Sequence, residues 1–410
     1  MESLSISRTR LMGQVRVSGA KNSALRLLAA SILTRYPLQL EHFPKGLLDI
    51  QIHMEMLEVL GKEIKIFEDN ILITEKEDSL ITSLEWSKRS IRNTLLILGA
   101  LVGRFGEGRV PLPGGCKLGE RKYDLHVMLL ERLGAEIWEE NGFLCAKAKD
   151  SRLVGCEIHL PIRSTGATEN TIIASSLAIG KTILYGPHIR PEIIDLITLL
   201  NKMGAKITVH GQKAIEIEGV SELEGTKHRV IPDNMEALTW AIGSVITNGD
   251  VEIINFPFEH LEVPLVFLRE SGMKFYKGEN SLIVKGGIPY PVEISTGPYP
   301  GINSDMQPLF AVYGAMSKGE SKIIDLRFPG RYGYAEELKK MGMKFKLSGE
   351  MLVIEGGYSL KGATVNAIDL RAGIALLLAG MTTDEEVRIE NAWQIRRGYE
   401  NLEEKLKNLC

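Results

Sequence analysis

The spacing of apolar positions changes period in a regular order along the chain. Stretches with apolar residues at i, i+3, i+4 and i+7, the mark of an amphipathic helix, give way to short runs suited to strands. Five helical stretches end in a similar phrase: Leu60-Gly61-Lys62-Glu63-Ile64, Leu133-Gly134-Ala135-Glu136-Ile137, Met203-Gly204-Ala205-Lys206-Ile207, Ser271-Gly272-Met273-Lys274-Phe275 and Met341-Gly342-Met343-Lys344-Phe345. Their glycines stand 73, 70, 68 and 70 residues apart, and the next one due would fall just beyond Cys410. A glycine can take the left-handed conformation that closes a helix, so each phrase predicts a helix end followed by a strand. Turn sequences come next at Glu68-Asp69-Asn70, Glu140-Asn141-Gly142, His210-Gly211-Gln212, Gly278-Glu279-Asn280 and Ser348-Gly349-Glu350, each predicting a hairpin. Between the hairpins lie more apolar helices, predicted to begin near Asn22, Asn93, Asn170, Asn234, Asp305 and Asp369. The predicted unit is helix, strand, helix, strand, turn, strand, in six copies of about 70 residues. Its apolar helices are expected to be buried with sheets packed around them, and residues 4–17 to supply the strand missing from the last unit.

Composition narrows the class. The 410 residues are 44% hydrophobic and 25% charged, enough for two or three domain-sized cores. The longest nearly unbroken apolar run, residues 94–103, is about half a membrane span, so no transmembrane helix is expected. The start Met1-Glu2-Ser3-Leu4-Ser5-Ile6 has neither a basic region nor a long apolar region, which argues for a cytoplasmic protein. A net charge of −3 disfavours a dedicated nucleic-acid binder. The cysteines Cys116, Cys145, Cys156 and Cys410 have no zinc-ligand spacing, so neither a metal nor a disulfide framework is expected.

Candidate chemistry gathers where the apolar helices begin. Asn22, Asp233, Asp305 and Asp369 are ordinary N-cap types. Lys21 and Arg92 are not, because cations are disfavoured beside a helix N-terminus. Cations there suggest an anion held between side chain and helix dipole, with phosphate the usual guest. Cys116 lies in a loop of prolines and glycines, Pro111-Leu112-Pro113-Gly114-Gly115-Cys116-Lys117, where Lys117 and Arg121 favour its thiolate. Cys145 and Cys156 read as inert core residues and Cys410 as a frayed end. Arg396 and Arg397 are either solvated or poised for bidentate binding of a carboxylate or phosphate.

Taken in order, Ser18-Gly19-Ala20-Lys21-Asn22-Ser23-Ala24-Leu25, Leu112-Pro113-Gly114-Gly115-Cys116, Gly166-Ala167-Thr168-Glu169-Asn170, Ser304-Asp305-Met306-Gln307, Asp369-Leu370-Arg371-Ala372 and Arg397-Gly398-Tyr399-Glu400 resemble the UDP-N-acetylglucosamine branch of the enolpyruvyl transferases. The resemblance implies an inside-out α/β barrel fold of two three-unit domains, residues 21–231 and residues 1–20 with 232–410, closing over substrate. It implies transfer of the enolpyruvyl group of phosphoenolpyruvate to the sugar 3-hydroxyl with release of phosphate. The route is a tetrahedral adduct, without metal or cofactor, in cell-wall synthesis. On this likeness Cys116 protonates the methylene carbon and Asp305 accepts the hydroxyl proton. Lys21, Arg121 and Arg397 hold phosphate and carboxylate, and Arg92 joins on closure. Arg121-Lys122-Tyr123-Asp124-Leu125 corresponds to the uridine-binding stretch, Ser164, Thr165 and Gly166 face the diphosphate, and Asn22 with Asp305 the sugar. Arg327, Arg331, Asp369 and Arg371 complete the substrate-facing set. The implied partners are phosphoenolpyruvate and a uridine nucleotide, with no nucleic acid, membrane or obligatory protein.

Several positions depart from the usual pattern of that branch. Phe328-Pro329-Gly330-Arg331-Tyr332 stands for Phe-Glu-Asn-Arg-Phe, Asp233-Asn234 for Asp-Arg, and Arg396-Arg397 for Asp-Arg. Ile162-Arg163-Ser164-Thr165-Gly166 stands for Lys-Val-Ser-Val-Gly, and Arg327 replaces a small apolar residue. The departures spare Cys116, Asp305, Lys21 and Arg397 and gather where acceptor choice or closure would feel them. Two alternatives follow. One is transfer to another uridine nucleotide, such as UMP in nucleoside-antibiotic assembly, where added cations at Arg327 or Arg396 would suit a bare phosphate. The other is a non-catalytic binding paralogue.

Overall fold

The helices stop at the predicted glycines. In the computed structural model, which describes residues 3–76, 80–113, 123–328 and 330–410, Gly61, Gly134, Gly204, Gly272 and Gly342 take φ values of 108°, 93°, 99°, 92° and 94°. Their N–H groups donate to the carbonyls of Glu58, Glu131, Asn201, Arg269 and Lys339, satisfying acceptors that a helix end leaves open. The five expected hairpins follow, for instance Ala135–Glu140 with Phe143–Ala148 across a turn in which Asn141 and Gly142 both have positive φ.

The fold is mixed α/β, and the chain divides into two compact units, Gly19–Ile231 and Met1–Ser18 with Pro232–Cys410. Each contains three sheets. In four of the six, a hairpin, the strand after a buried helix and a parallel edge strand lie in one order. An example is Lys206–His210, Ala214–Glu218, Lys181–Tyr185 and Glu157–His159. Among the described residues every sheet is open, of three or four strands.

The apolar helices occupy the cores, as their all-round hydrophobicity demands. In the first unit these are Lys21–Ala30, Thr94–Phe105 and Thr165–Ser175. In the second they are Asn234–Ile246, Gln307–Met316 and Leu370–Gly380. Thr94–Phe105 and Thr165–Ser175 meet closely through Gly99 and Gly103. A Cβ on Gly99 would lie 1.8 Å from Asn170 Oδ1, and one on Gly103 3.0 Å from the Ala174 carbonyl.

Four local expectations need correction. The third apolar helix begins at Thr165, not near Asn170, because Ser164 Oγ accepts from Ala167 N–H and caps it there. Asn22 is not a cap: the helix starts at Lys21 after Ala20, with no side-chain cap bond. Asp305 is not a cap either, since Asn303 Oδ1 accepts its N–H at 3.1 Å and opens the 3-10 turn Ser304–Met306. Asp233 and Asp369 do cap their helices. The expected single strand from residues 4–17 is divided around the exposed Ser7 and Arg8. Ser3–Ile6 pairs with Val387–Glu390 in the last sheet, and Met12–Arg16 runs parallel to Asp250–Ile254 in another.

Candidate active site

In the unit Gly19–Ile231, Lys21 begins its helix buried, and its Nζ lies 2.6 Å from Asp49 Oδ2 with both side chains 7% exposed. A buried ammonium requires such a partner, and the first turn of Leu48–Val59 supplies it. One position on from Asn22, Ser23 Oγ donates to Asp195, whose other oxygen lies 2.8 Å from His228 Nε2. In the same unit Arg26 pairs with Glu169 at 2.6 Å, and Arg190 with Glu192 at 2.7 Å.

The second group in this unit surrounds the N-terminus of Thr165–Ser175. Ser164 caps it, Thr165 Oγ1 lies 2.8 Å from His188 Nδ1, and a Cβ on Gly166 would stand 3.0 Å from His126 Nε2. Tyr123, Asp124 and Leu125 lead into the helix Asp124–Arg132, whose third residue is His126. Asn170 Nδ2 stands 3.1 Å from His126 Nδ1. Burial, helped by the charge of Arg92, pushes the His126 pKa down to about 3, so the ring is neutral near pH 7. This connects Arg92 electrostatically to the Gly166 end of the helix. Arg163 is exposed and donates to Gln212 at 3.3 Å, and Ile162 is exposed too.

In the other unit a carboxylate lies between two arginines. Asp305 Oδ1 accepts from Arg331 Nη1 at 2.9 Å, and Asp305 Oδ2 is 3.4 Å from Arg371 Nε. Arg331 Nη2 stands 3.8 Å from Asp369 Oδ2, while Asp369 Oδ1 accepts the N–H groups of Arg371 and Ala372 at 2.8 Å. Burial opposes charge on Arg331 and Arg371, but the carboxylates outweigh it and both pKa values are raised. Both guanidiniums are therefore fixed cations facing Asp305, which is the most exposed of the four side chains. Tyr399 OH lies 2.8 Å from Thr239 Oγ1, and burial lifts its pKa to about 12.

The six-residue 3-10 segment Ala392–Arg397 separates its two arginines. Arg397 is 7% exposed with Nη1 donating to Gln394 at 2.9 Å. Arg396 is exposed and bonds Glu403 at 2.7 Å and 3.0 Å, which is the solvated alternative considered for it. Arg327 is partly exposed, 5.8 Å from the Phe328 ring centroid. Cys116, Arg121, Lys122 and Pro329 lie outside the described residues. Cys145 is buried as expected; Cys156 is only partly so, just before the strand Glu157–His159, and its Sγ donates to the Arg132 carbonyl.

The profile of the EPSP synthase (3-phosphoshikimate 1-carboxyvinyltransferase) family matches residues 6–406. The chain belongs to the enolpyruvyl transferase family. A UDP-N-acetylglucosamine 1-carboxyvinyltransferase of Carboxydothermus hydrogenoformans is 42% identical over 96% of this chain and 93% of its own. One from Finegoldia magna is 37% identical over 100% and 97%. Among solved structures, the enolpyruvyl transferase NikO from Streptomyces tendae superposes with a TM-score of 0.89 at 24% identity, covering 99% and 97%. EPSP synthase from Acinetobacter baumannii gives 0.74 at 17% identity, covering 100% and 98%. At these identities the two structures establish the shared fold. As an enolpyruvyl transferase, the protein is an enzyme.

Among the residues of these groups not singled out by motif are Asp49, His126 and Asp325, the last joined to the Asp305 turn by the Ser304 hydroxyl, which donates to its Oδ2 at 2.5 Å. Asp49 had a sequence signal, an acid inside the apolar run Leu47-Leu48-Asp49-Ile50. Asp325 closes the strand Glu320–Ile324 and is 1% exposed, and His126 is 7% exposed; each reads as an ordinary polar residue until its neighbours are known.

Proposed function

We propose that this enolpyruvyl transferase moves the enolpyruvyl group of phosphoenolpyruvate to the 3-hydroxyl of UDP-N-acetylglucosamine and releases phosphate, a cytoplasmic step of peptidoglycan synthesis. The observation that carries this reading is the near-full-length identity to relatives bearing that name, 37–42% over 96–100% of the chain. Asp305, held between Arg331 and Arg371, supports it as an oriented carboxylate able to take the proton of an attacking hydroxyl. No helix among the described residues is long and apolar enough to cross a membrane.

In the proposed reaction the acceptor oxygen bonds to C2 of phosphoenolpyruvate as its proton passes to Asp305. Cys116 delivers a proton to C3, giving the tetrahedral adduct. Loss of a proton from C3 then restores the double bond as the C–O bond to phosphate breaks. Lys21, Arg121 and Arg397 hold the phosphate and carboxylate of phosphoenolpyruvate, joined by Arg92. Residues 121–125 hold the uridine, Ser164 to Gly166 the diphosphate, and Asn22 with Asp305 the sugar; Arg327, Arg331, Asp369 and Arg371 line the acceptor side. The buried helices and open sheets support our reading of each unit as a three-unit, inside-out α/β domain, with Cys116 in one and Asp305 and Arg397 in the other.

A second acceptor, a bare uridine nucleotide, is favoured only by Arg327, because the other added cation, Arg396, bonds Glu403 in solvent. Phosphate release from phosphoenolpyruvate is measured with UDP-N-acetylglucosamine, with UMP and without acceptor. Turnover with the amino sugar is expected. Turnover with UMP alone would reassign the acceptor, and ligand binding without release under either condition would make the chain a non-catalytic paralogue.

A further inference from the structure

Asp325 is nearly sealed from solvent at 1% exposure, yet five donors converge on its carboxylate. Oδ1 accepts from Thr296 Oγ1 at 2.7 Å and from the N–H groups of Arg327 and Phe328 at 2.9 and 3.0 Å. Oδ2 accepts from Ser304 Oγ and Gln307 Nε2, each at 2.5 Å. Its own N–H donates to Tyr332 Oη at 2.9 Å, and that hydroxyl donates to the Glu350 carbonyl at 2.7 Å. Asp325 thus ties together the turn containing Asp305, the loop containing Arg327 and the helix Gln307–Met316. It does so at the carboxyl ends of the parallel strands Glu293–Ser295 and Glu320–Ile324.

One of these bonds leads to the reacting group. Ser304 must spend its only proton on Asp325, so its lone pairs are left for Arg331 Nη1, which donates to Ser304 Oγ at 3.2 Å and to Asp305 Oδ1 at 2.9 Å. We propose that Asp325 is a positioning residue for acceptor activation: through Ser304 it holds Arg331 on Asp305, and through the backbone of Arg327 and Phe328 it sets the adjoining loop. The proposal rests on the reading of Asp305 as the base. An ionised carboxylate suits this place uniquely, because all five neighbours are donors. An amide would turn its NH₂ toward either the loop N–H groups or the Ser304 and Gln307 donors, and one side would lose its acceptor.

The experiment compares full-length wild type with Asp325→Asn, Ser304→Ala and Asp305→Asn. It measures kcat, both KM values, the rate–pH profile and the fraction of binding-competent sites. Among the described residues, Arg331 and Arg371 face Asp305, with Asp369 behind Arg331. Loosening Arg331 weakens support for the carboxylate, so the acid limb moves to higher pH. For Asp325→Asn we expect kcat per competent site to fall at least tenfold, the acid limb to rise by half a pH unit or more, and the phosphoenolpyruvate KM to stay within twofold. Ser304→Ala should shift the limb in the same direction, and serves alone if Asp325→Asn does not fold. An unmoved acid limb in both variants overturns the proposal even if kcat falls, since a merely structural role lowers the competent fraction without moving it. Wild-type silence, or full activity of Asp305→Asn, would overturn the functional reading instead. Crystal structures of wild type and the variants then judge Asp325 without activity: Arg331 turned away from Asp305 supports it, and an unchanged contact refutes it.

Discussion

Replacing Asp49 by Asn tests the buried pair behind the proposed phosphate site. The attraction across 2.6 Å between two side chains 7% exposed is about 6 kcal/mol at an effective dielectric of about 20. Most of that repays desolvation, so the pair itself adds little to stability; the loss comes from leaving Lys21 charged in a site that has lost its counter-charge. Breaking one half of such a buried pair costs about 3–5 kcal/mol, which is the loss expected here. Urea unfolding of Asp49→Asn, Lys21→Met and the double variant measures it. The double variant should be more stable than Asp49→Asn by at least about 1 kcal/mol, because it removes the stranded cation. Phosphate, added at equal concentration, should stabilise Asp49→Asn more than wild type, since an anion can take the place of the lost carboxylate. A loss below about 1 kcal/mol in Asp49→Asn, with a strictly additive double variant, would refute the argument.

Other outcomes follow from the same geometry. Asp305→Asn should lower kcat by about 10²–10⁴ while leaving phosphoenolpyruvate binding, followed by isothermal titration, nearly intact; unchanged turnover would remove Asp305 from the reaction. His53 and His126 are both held near pKa 3, principally by burial, well below the 6.5 of an unfolded chain. Their folded forms bind fewer protons, so stability is full above about pH 6.5 and lost as the pH falls toward 3, by up to about 2.7 kcal/mol per pH unit for the two together. Neither ring should titrate by NMR between pH 5 and 8, and a normal titration of either would contradict its burial. Gly134→Ala meets nothing within 4 Å and should lose only the cost of positive φ, about 1–2 kcal/mol. Gly272→Ala also brings its Cβ to 2.9 Å from Tyr290 and should lose more by thermal unfolding; equal losses would mean that the Tyr290 ring simply moves aside.

Helix ends and hairpins were legible because their causes are local. A glycine at 61, 134, 204, 272 or 342 closes a helix by its own backbone freedom, and the turn residues that follow need no distant partner. Cap assignments were less secure, since several polar residues compete at each start. Asp233 and Asp369 won theirs, while Asn22 was displaced by Ala20 and Asp305 by Asn303. The same limit applied to Arg396 and Arg397. Adjacent in sequence, they diverge on a 3-10 segment, one into solvent beside Glu403 and one into the interior beside Gln394.

By itself the sequence determined the order of the elements, the apolar helices that fill the cores, and the ordered motifs that mark an enolpyruvyl transferase. These depend on residue type and near-neighbour spacing, which a linear chain carries directly. Only the tertiary structure decided which charges meet: Lys21 with Asp49, Asp305 with Arg331 and Arg371, and Asp325 with its five donors. Such pairs join segments 20 or more residues apart or lie at strand ends, and their strength comes from burial, a property of the packed molecule that no local pattern encodes.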